Sequence, residues 1–139
     1  MYNKILIAYD GSEPSLRAVE HAAQLAKTYN SEKVTLFEAI HNVPMNDPMF
    51  IVHYYQVEDD VNELTFEPAK KILSEKGVTF DTKILHGDPG TLIAQIANED
   101  RYDLVVVGGT GKGLIKKAIL GSVSSHVATT AKCPVLVVK

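Results

Sequence analysis

The chain has a single cysteine, Cys133, and no tryptophan in 139 residues. One cysteine forms no internal disulfide and offers no C-x-x-C pair, which excludes a disulfide framework and the usual cysteine zinc sites. Its five histidines, His21, His41, His53, His86 and His126, are scattered without metal-ligand spacing. Positive charge is not in excess: 14 Lys and Arg face 17 Asp and Glu, for a net charge of −3. Nucleic-acid binding leans on a basic surface, so nothing here points to it. Long apolar runs are absent too, which leaves no candidate to span a bilayer. The opening MYNKILIAYDGS lacks the apolar stretch of a signal peptide. A cytoplasmic protein is expected. No repeat, low-complexity tract or Gly/Ser/Pro-rich linker divides the chain, so residues 1–139 are expected to form one domain.

What is present alternates regularly. Residues 4–9, KILIAY, form a short apolar run; residues 12–29 space Leu16, Val19, Ala22, Ala23 and Ala26 helically behind a capping Ser12 and Pro14. Strands are expected at 33–40, 78–85, 103–107 and 134–138. Helices are expected over 54–76, with Pro68 as a break or kink, over Asp88 to about Asp100, and from near Gly121. Gly77 suits a helix C-cap. Strands alternating with helices predict an α/β fold, a five-stranded parallel sheet with helices on both faces. Ligands of such sheets bind beyond the carboxyl ends of the strands, where the strand order reverses.

Two unusual loops fall on that edge. One is Asp10-Gly11-Ser12, after the first strand. The other, after LVVV, holds Gly108, Gly109, Gly111 and Gly113, and nine residues then separate Gly111 from Gly121-Ser122. Glycine allows close backbone approach, and a helix start presents free N–H groups that suit phosphate. Lys112 adds charge, and Ser122 and Ser124 stand where the last helix begins. On residues alone, a phosphate loop and a plain flexible loop both remain open. Two familiar phosphate motifs fail: Val106 stands where a P-loop needs glycine, and Asp10-Gly11-Ser12 is not G-x-G-x-x-G.

The pattern Gly108-Gly109-Thr110-Gly111, nine residues, Gly121-Ser122 resembles the G-x-x-G-x9-G-[ST] motif of the universal stress protein family. KILIAYDGSEPS, HGDPGTLIAQIANEDRYDLVVVG and CPVLVVK resemble its first strand and loop, its third-helix entry with fourth strand, and its last strand. Only residues 42–60 carry no resemblance. The likeness implies a Rossmann-like fold of the adenine nucleotide alpha hydrolase type. It implies ATP, with Mg2+, held between the ends of strands 1 and 2, with the phosphates on the glycine loop. By position, Asp10 matches an acidic contact near the nucleoside. Ala39 matches a position, commonly Val, whose backbone meets adenine. Gly108, Gly111, Gly121, Ser122 and Ser124 match the phosphate lining, with Ser12 and Ala8 as further positions. Family members usually dimerise through the last strand, here Val135 to Val138, so a homodimer is expected.

Other clusters carry blander readings. Ser124-Ser125-His126 cannot be a nucleophile–base pair, because neighbours on one helix point to different faces. Glu58, Asp59, Asp60 and Glu63 suit an early helical turn. The apolar 42–56 stretch reads as a lid, a partner surface or plain packing. Three functions follow: an ATP-binding stress-response protein, with weak ATPase activity at most; a dimeric interaction module without nucleotide; and an enzyme that slowly hydrolyses ATP. No catalytic residue and no protein-held metal is assigned.

Overall fold

A computed structural model of the chain describes residues 1–40, 66–109 and 121–139. Strand β1 is Lys4–Ala8 and helix α1 is Glu13–Tyr29. Strand β2 is Lys33–Ile40, and helix α2 covers residues 66–75. Then come β3 (Asp81–His86), α3 (Pro89–Glu99), β4 (Leu104–Gly108), α4 (Ser122–Thr130) and β5 (Val135–Val138).

All pairings are parallel, in the order β3-β2-β1-β4-β5. The chain winds outward from β1 in both directions, so the order reverses between β1 and β4. Alternate residues of β1 split the core in two. Ile5, Ile7 and Tyr9 face α1 and α2, among Val19, Leu36, Phe66 and Leu73. Leu6 and Ala8 face α3 and α4, among Phe37, Ile93, Val107 and Val127. Covered on both faces, β1 and β4 must be apolar throughout, which is why they read as unbroken hydrophobic runs. α1 lies close because its buried stripe is Ala18, Ala22, Ala23 and Ala26 around Val19.

The helix ends follow side-chain chemistry. Ser12 caps α1 by accepting from the Ser15 N–H, and Asp88 caps α3 by accepting from Thr91. One strand departs from expectation. The pattern at 78–85 predicts a strand from Val78, yet β3 begins at Asp81. The end of α2 explains this. Gly77, at φ 70°, donates to the Ser74 carbonyl, and Val78 donates to that of Leu73. This Schellman closure ties Val78 to the helix, so residues 78–80 pack as a connector before the chain reaches the sheet. The helix expected over 54–65, with the effect of Pro68 upon it, lies outside the described residues.

The amino ends of the strands are sealed. The Tyr102 hydroxyl bonds Thr35 Oγ1 at 2.6 Å, and the ammonium groups of Lys4 and Lys33 stand 5.0 and 5.9 Å from its ring centre.

Candidate functional site

The β1–α1 loop is held by side chains. Asp10 Oδ1 accepts from the backbone N–H of Ser12 at 2.9 Å and from its hydroxyl at 2.5 Å. Ser12 Oγ in turn accepts from the Ser15 N–H, and Ser15 Oγ donates to the Ser12 carbonyl at 2.8 Å. This Asx turn places its middle residue at positive φ, a conformation Gly11 takes at 82° without steric cost. Among the described residues, nothing bonds Oδ2 of Asp10.

The β4–α4 loop is held by backbone. Gly109 N–H donates to the Val138 carbonyl at 2.7 Å, while its own carbonyl accepts from Gly121 N–H at 2.6 Å. The buried Ser124 hydroxyl lies 3.1 Å from the carbonyls of both Gly109 and Gly121. The two ends of the glycine loop are thereby pinned to each other and to β5. Residues 110–120, with Gly111 and Lys112, lie outside the described residues.

These contacts sort the residues that the sequence singled out. Gly108 abuts the first turn of α1: a Cβ there would stand 2.9 Å from both the Pro14 carbonyl carbon and the Ser15 nitrogen. Packing by itself is therefore a sufficient reason for glycine here. Gly121 is the N-cap of α4 at φ −70°, with no side chain to occupy the helix start. The N–H groups of Ser122, Val123 and Ser124 have no acceptor within the helix. Ser122 is exposed at that start, whereas Ser124 is buried and committed to the two carbonyls. His126 packs on Gly90 of α3, where a Cβ would come within 2.9 Å of the ring.

Ala39 and Ala8 lie on the same sheet face as α4. Ala39 is partly buried beside its β3 partner Leu85, and Leu92 and Val123 border the same cluster. Sequence reading missed Leu85, whose only signal is its place near the end of a strand. This apolar floor, the open carboxylate oxygen of Asp10 and the uncapped start of α4 share the carboxyl end of the sheet. Together they suit a ligand with a flat apolar part, a hydroxyl and an anion. The fit to a metal is different: among the described residues, no cluster of three or more His, Cys, Asp or Glu could hold one.

Sequence reading also missed a buried pair on the opposite face. Tyr9 follows the Ala8–Phe37 register pair, donates its N–H to the Phe37 carbonyl and stacks on Phe66 at 5.7 Å. Glu38 is 5% exposed. Burial, then the charges of Glu38 and Asp10, push the Tyr9 phenol up to about 12, so it stays protonated.

No described helix is long and apolar enough to cross a membrane. Comparison with known proteins agrees with the sheet and its loops. The profile of the universal stress protein family matches residues 1–139. Universal stress protein YxiE of Bacillus subtilis is 34% identical over 148 residues, covering all of both chains. Universal stress protein MJ0531 of Methanocaldococcus jannaschii is 34% identical over 143 residues, covering all of this chain and 83% of its own. A solved universal stress protein in complex with cAMP superposes at a TM-score of 0.77, with 28% identity, covering 99% of this chain and 97% of that one. The chain belongs to the universal stress protein family.

Proposed function

We propose that this protein binds an adenine nucleotide, ATP, and acts as a nucleotide-dependent stress-response protein. The observation that carries this reading is the start of α4. The N–H groups of its first turn have no acceptor within the helix, they lie at the switch point of the sheet, and the Gly121 cap brings no side chain across them. In this reading Gly121 and Ser122 meet the phosphates together with Gly108 and Gly111. Asp10 accepts from the ribose, and Ala39 meets adenine. Ser124 supports the lining by fixing Gly109 and Gly121. Mg2+ travels with the phosphates. The cAMP-bound relative supports adenine as the base. This reading is one of binding, with weak ATPase activity at most.

The same reading includes a cytoplasmic homodimer. Among the described residues β5 pairs only with β4, and its Val135, Leu136 and Val137 are partly buried at that edge of the sheet. Pairing with a second copy would cover that edge. The deciding experiment is to denature freshly purified protein and identify any released nucleotide by mass and absorbance, followed by calorimetry with Mg·ATP. Stoichiometric ATP or micromolar binding is expected. Absence of both would leave a dimeric interaction module, which sedimentation would detect.

A further inference from the structure

We infer that Ser12 is a positioning residue, which fixes Asp10 with one oxygen occupied and one open and so makes the site select for ribonucleosides over deoxyribonucleosides. The inference rests on the nucleotide reading above.

The Ser12 hydroxyl has one proton and directs it to Asp10 Oδ1, while its lone pair accepts from the Ser15 N–H. It has no donor left for a phosphate, so its position in a binding loop needs another explanation. The Ser12 N–H adds a second bond to the same oxygen. Two donors on Oδ1 hold the carboxylate in one orientation, and among the described residues Oδ2 remains the open acceptor. A carboxylate oxygen accepts only from a donor, here a ribose hydroxyl, and repels a phosphate oxygen. A carboxylate fixed in advance loses less freedom on binding than a rotating one. The surrounding turn is built for this. Ser15, 2% exposed, donates to the Ser12 carbonyl, and Gly11 alone takes positive φ. Removing the ligand's hydroxyl would leave Oδ2 unmatched, whereas a loose Asp10 would turn away and discriminate less.

The test is the dissociation constants of ATP, 2′-deoxy-ATP and 3′-deoxy-ATP for the full chain and for Ser12→Ala, Ser12→Gly and Ser12→Thr. The unaltered protein should disfavour at least one deoxy analogue by about tenfold, the scale of one hydrogen bond to a charged group. Ser12→Ala should reduce that ratio to about threefold or less, and Ser12→Thr should restore it. Ser12→Gly separates the roles: glycine keeps most of the helix cap and the N–H to Oδ1 but lacks the hydroxyl. Its ratio should also shrink. If Ser12 only capped α1, every nucleotide would weaken by the same factor. An unchanged ratio in both variants, or equal affinity for all three nucleotides in the unaltered protein, overturns the inference and leaves nucleotide binding standing. Failure of the unaltered protein to bind any of them overturns both.

Discussion

The two loops at the switch point solve one problem by different means. Between β1 and α1 the chain turns within the four residues 9–12, and the turn is fixed by side chains: Asp10 on Ser12, Ser12 on Ser15. Between β4 and α4 the excursion is long, and its ends are fixed by backbone. Gly109 links β5 on one side to Gly121 on the other, with Ser124 as the only side chain in the clamp among the described residues. A side-chain turn is legible in its residue types and fails when one of them is changed. A backbone clamp tolerates many residues and fails where a Cβ cannot fit. The difference teaches that the glycines of one motif need not share a reason.

Gly108 and Gly121 provide the largest contrast. At Gly108 a Cβ would press on the backbone of α1, which cannot rotate away as a side-chain end can. Gly108→Ala is expected to cost about 1–3 kcal/mol of stability, and Gly108→Val more, read by chemical denaturation. A Gly108→Ala protein of undiminished stability would show that packing does not fix this residue. Gly121→Val should do the reverse. It exchanges a tolerated cap for a poor one, at about 1 kcal/mol, yet blocks approach to the α4 N–H groups. ATP affinity measured by calorimetry should fall more than about tenfold, since it loses hydrogen bonds to a charged group. Retained affinity in a folded Gly121→Val protein would remove α4 from the proposed site.

Much of the fold was legible because local chemistry and tertiary need coincide. Ser12 and Asp88 cap where they read as caps, and the unbroken runs at β1 and β4 are the doubly covered strands. The start of β3 was not legible, because Val78 and Phe80 are apolar and alternate like strand residues. Only the bond from Val78 to Leu73 shows that the first of them still belongs to the end of α2. In the site, residue types located both loops, but the pattern could not divide the labour within them. Ser122 and Ser124 look alike in sequence, yet one is exposed and the other buried against two carbonyls. Glu38 was passed over because one carboxylate in a strand reads as its solvent face; β2 is an interior strand and has none.

Ser124 tests the clamp itself. Ser124→Ala removes the hydroxyl but leaves neither carbonyl bare: Gly109 still accepts from Gly121 N–H, and Gly121 from Ser125 N–H. The stability loss should therefore be about 1 kcal/mol, the net value of one hydrogen bond without an orphaned partner. Hydrogen exchange at Gly121 should quicken by about fivefold, the same free energy read locally. An unchanged rate there would mean that the backbone bonds alone hold the loop ends.

An effect confined to alkaline pH lies at the back of the β1–α1 turn, where Tyr9 precedes Asp10. Its phenol is held protonated to about 12 by burial and by the charges of Glu38 and Asp10, against 10.0 for an ordinary tyrosine. Between those values the unfolded chain has released the proton and the folded chain keeps it. The folded state then binds more protons, so stability declines as pH rises from 10 toward 12 and levels beyond it. Denaturation midpoints of the unaltered protein should follow that decline. Tyr9→Phe keeps the ring on Phe66, has no proton to lose, and should decline less over the same interval. Other tyrosines and lysines titrate there in both proteins, so the difference between the two curves isolates Tyr9. Parallel curves would mean that Tyr9 ionises like an exposed phenol, and that the face behind the Asp10 turn is open to water rather than sealed.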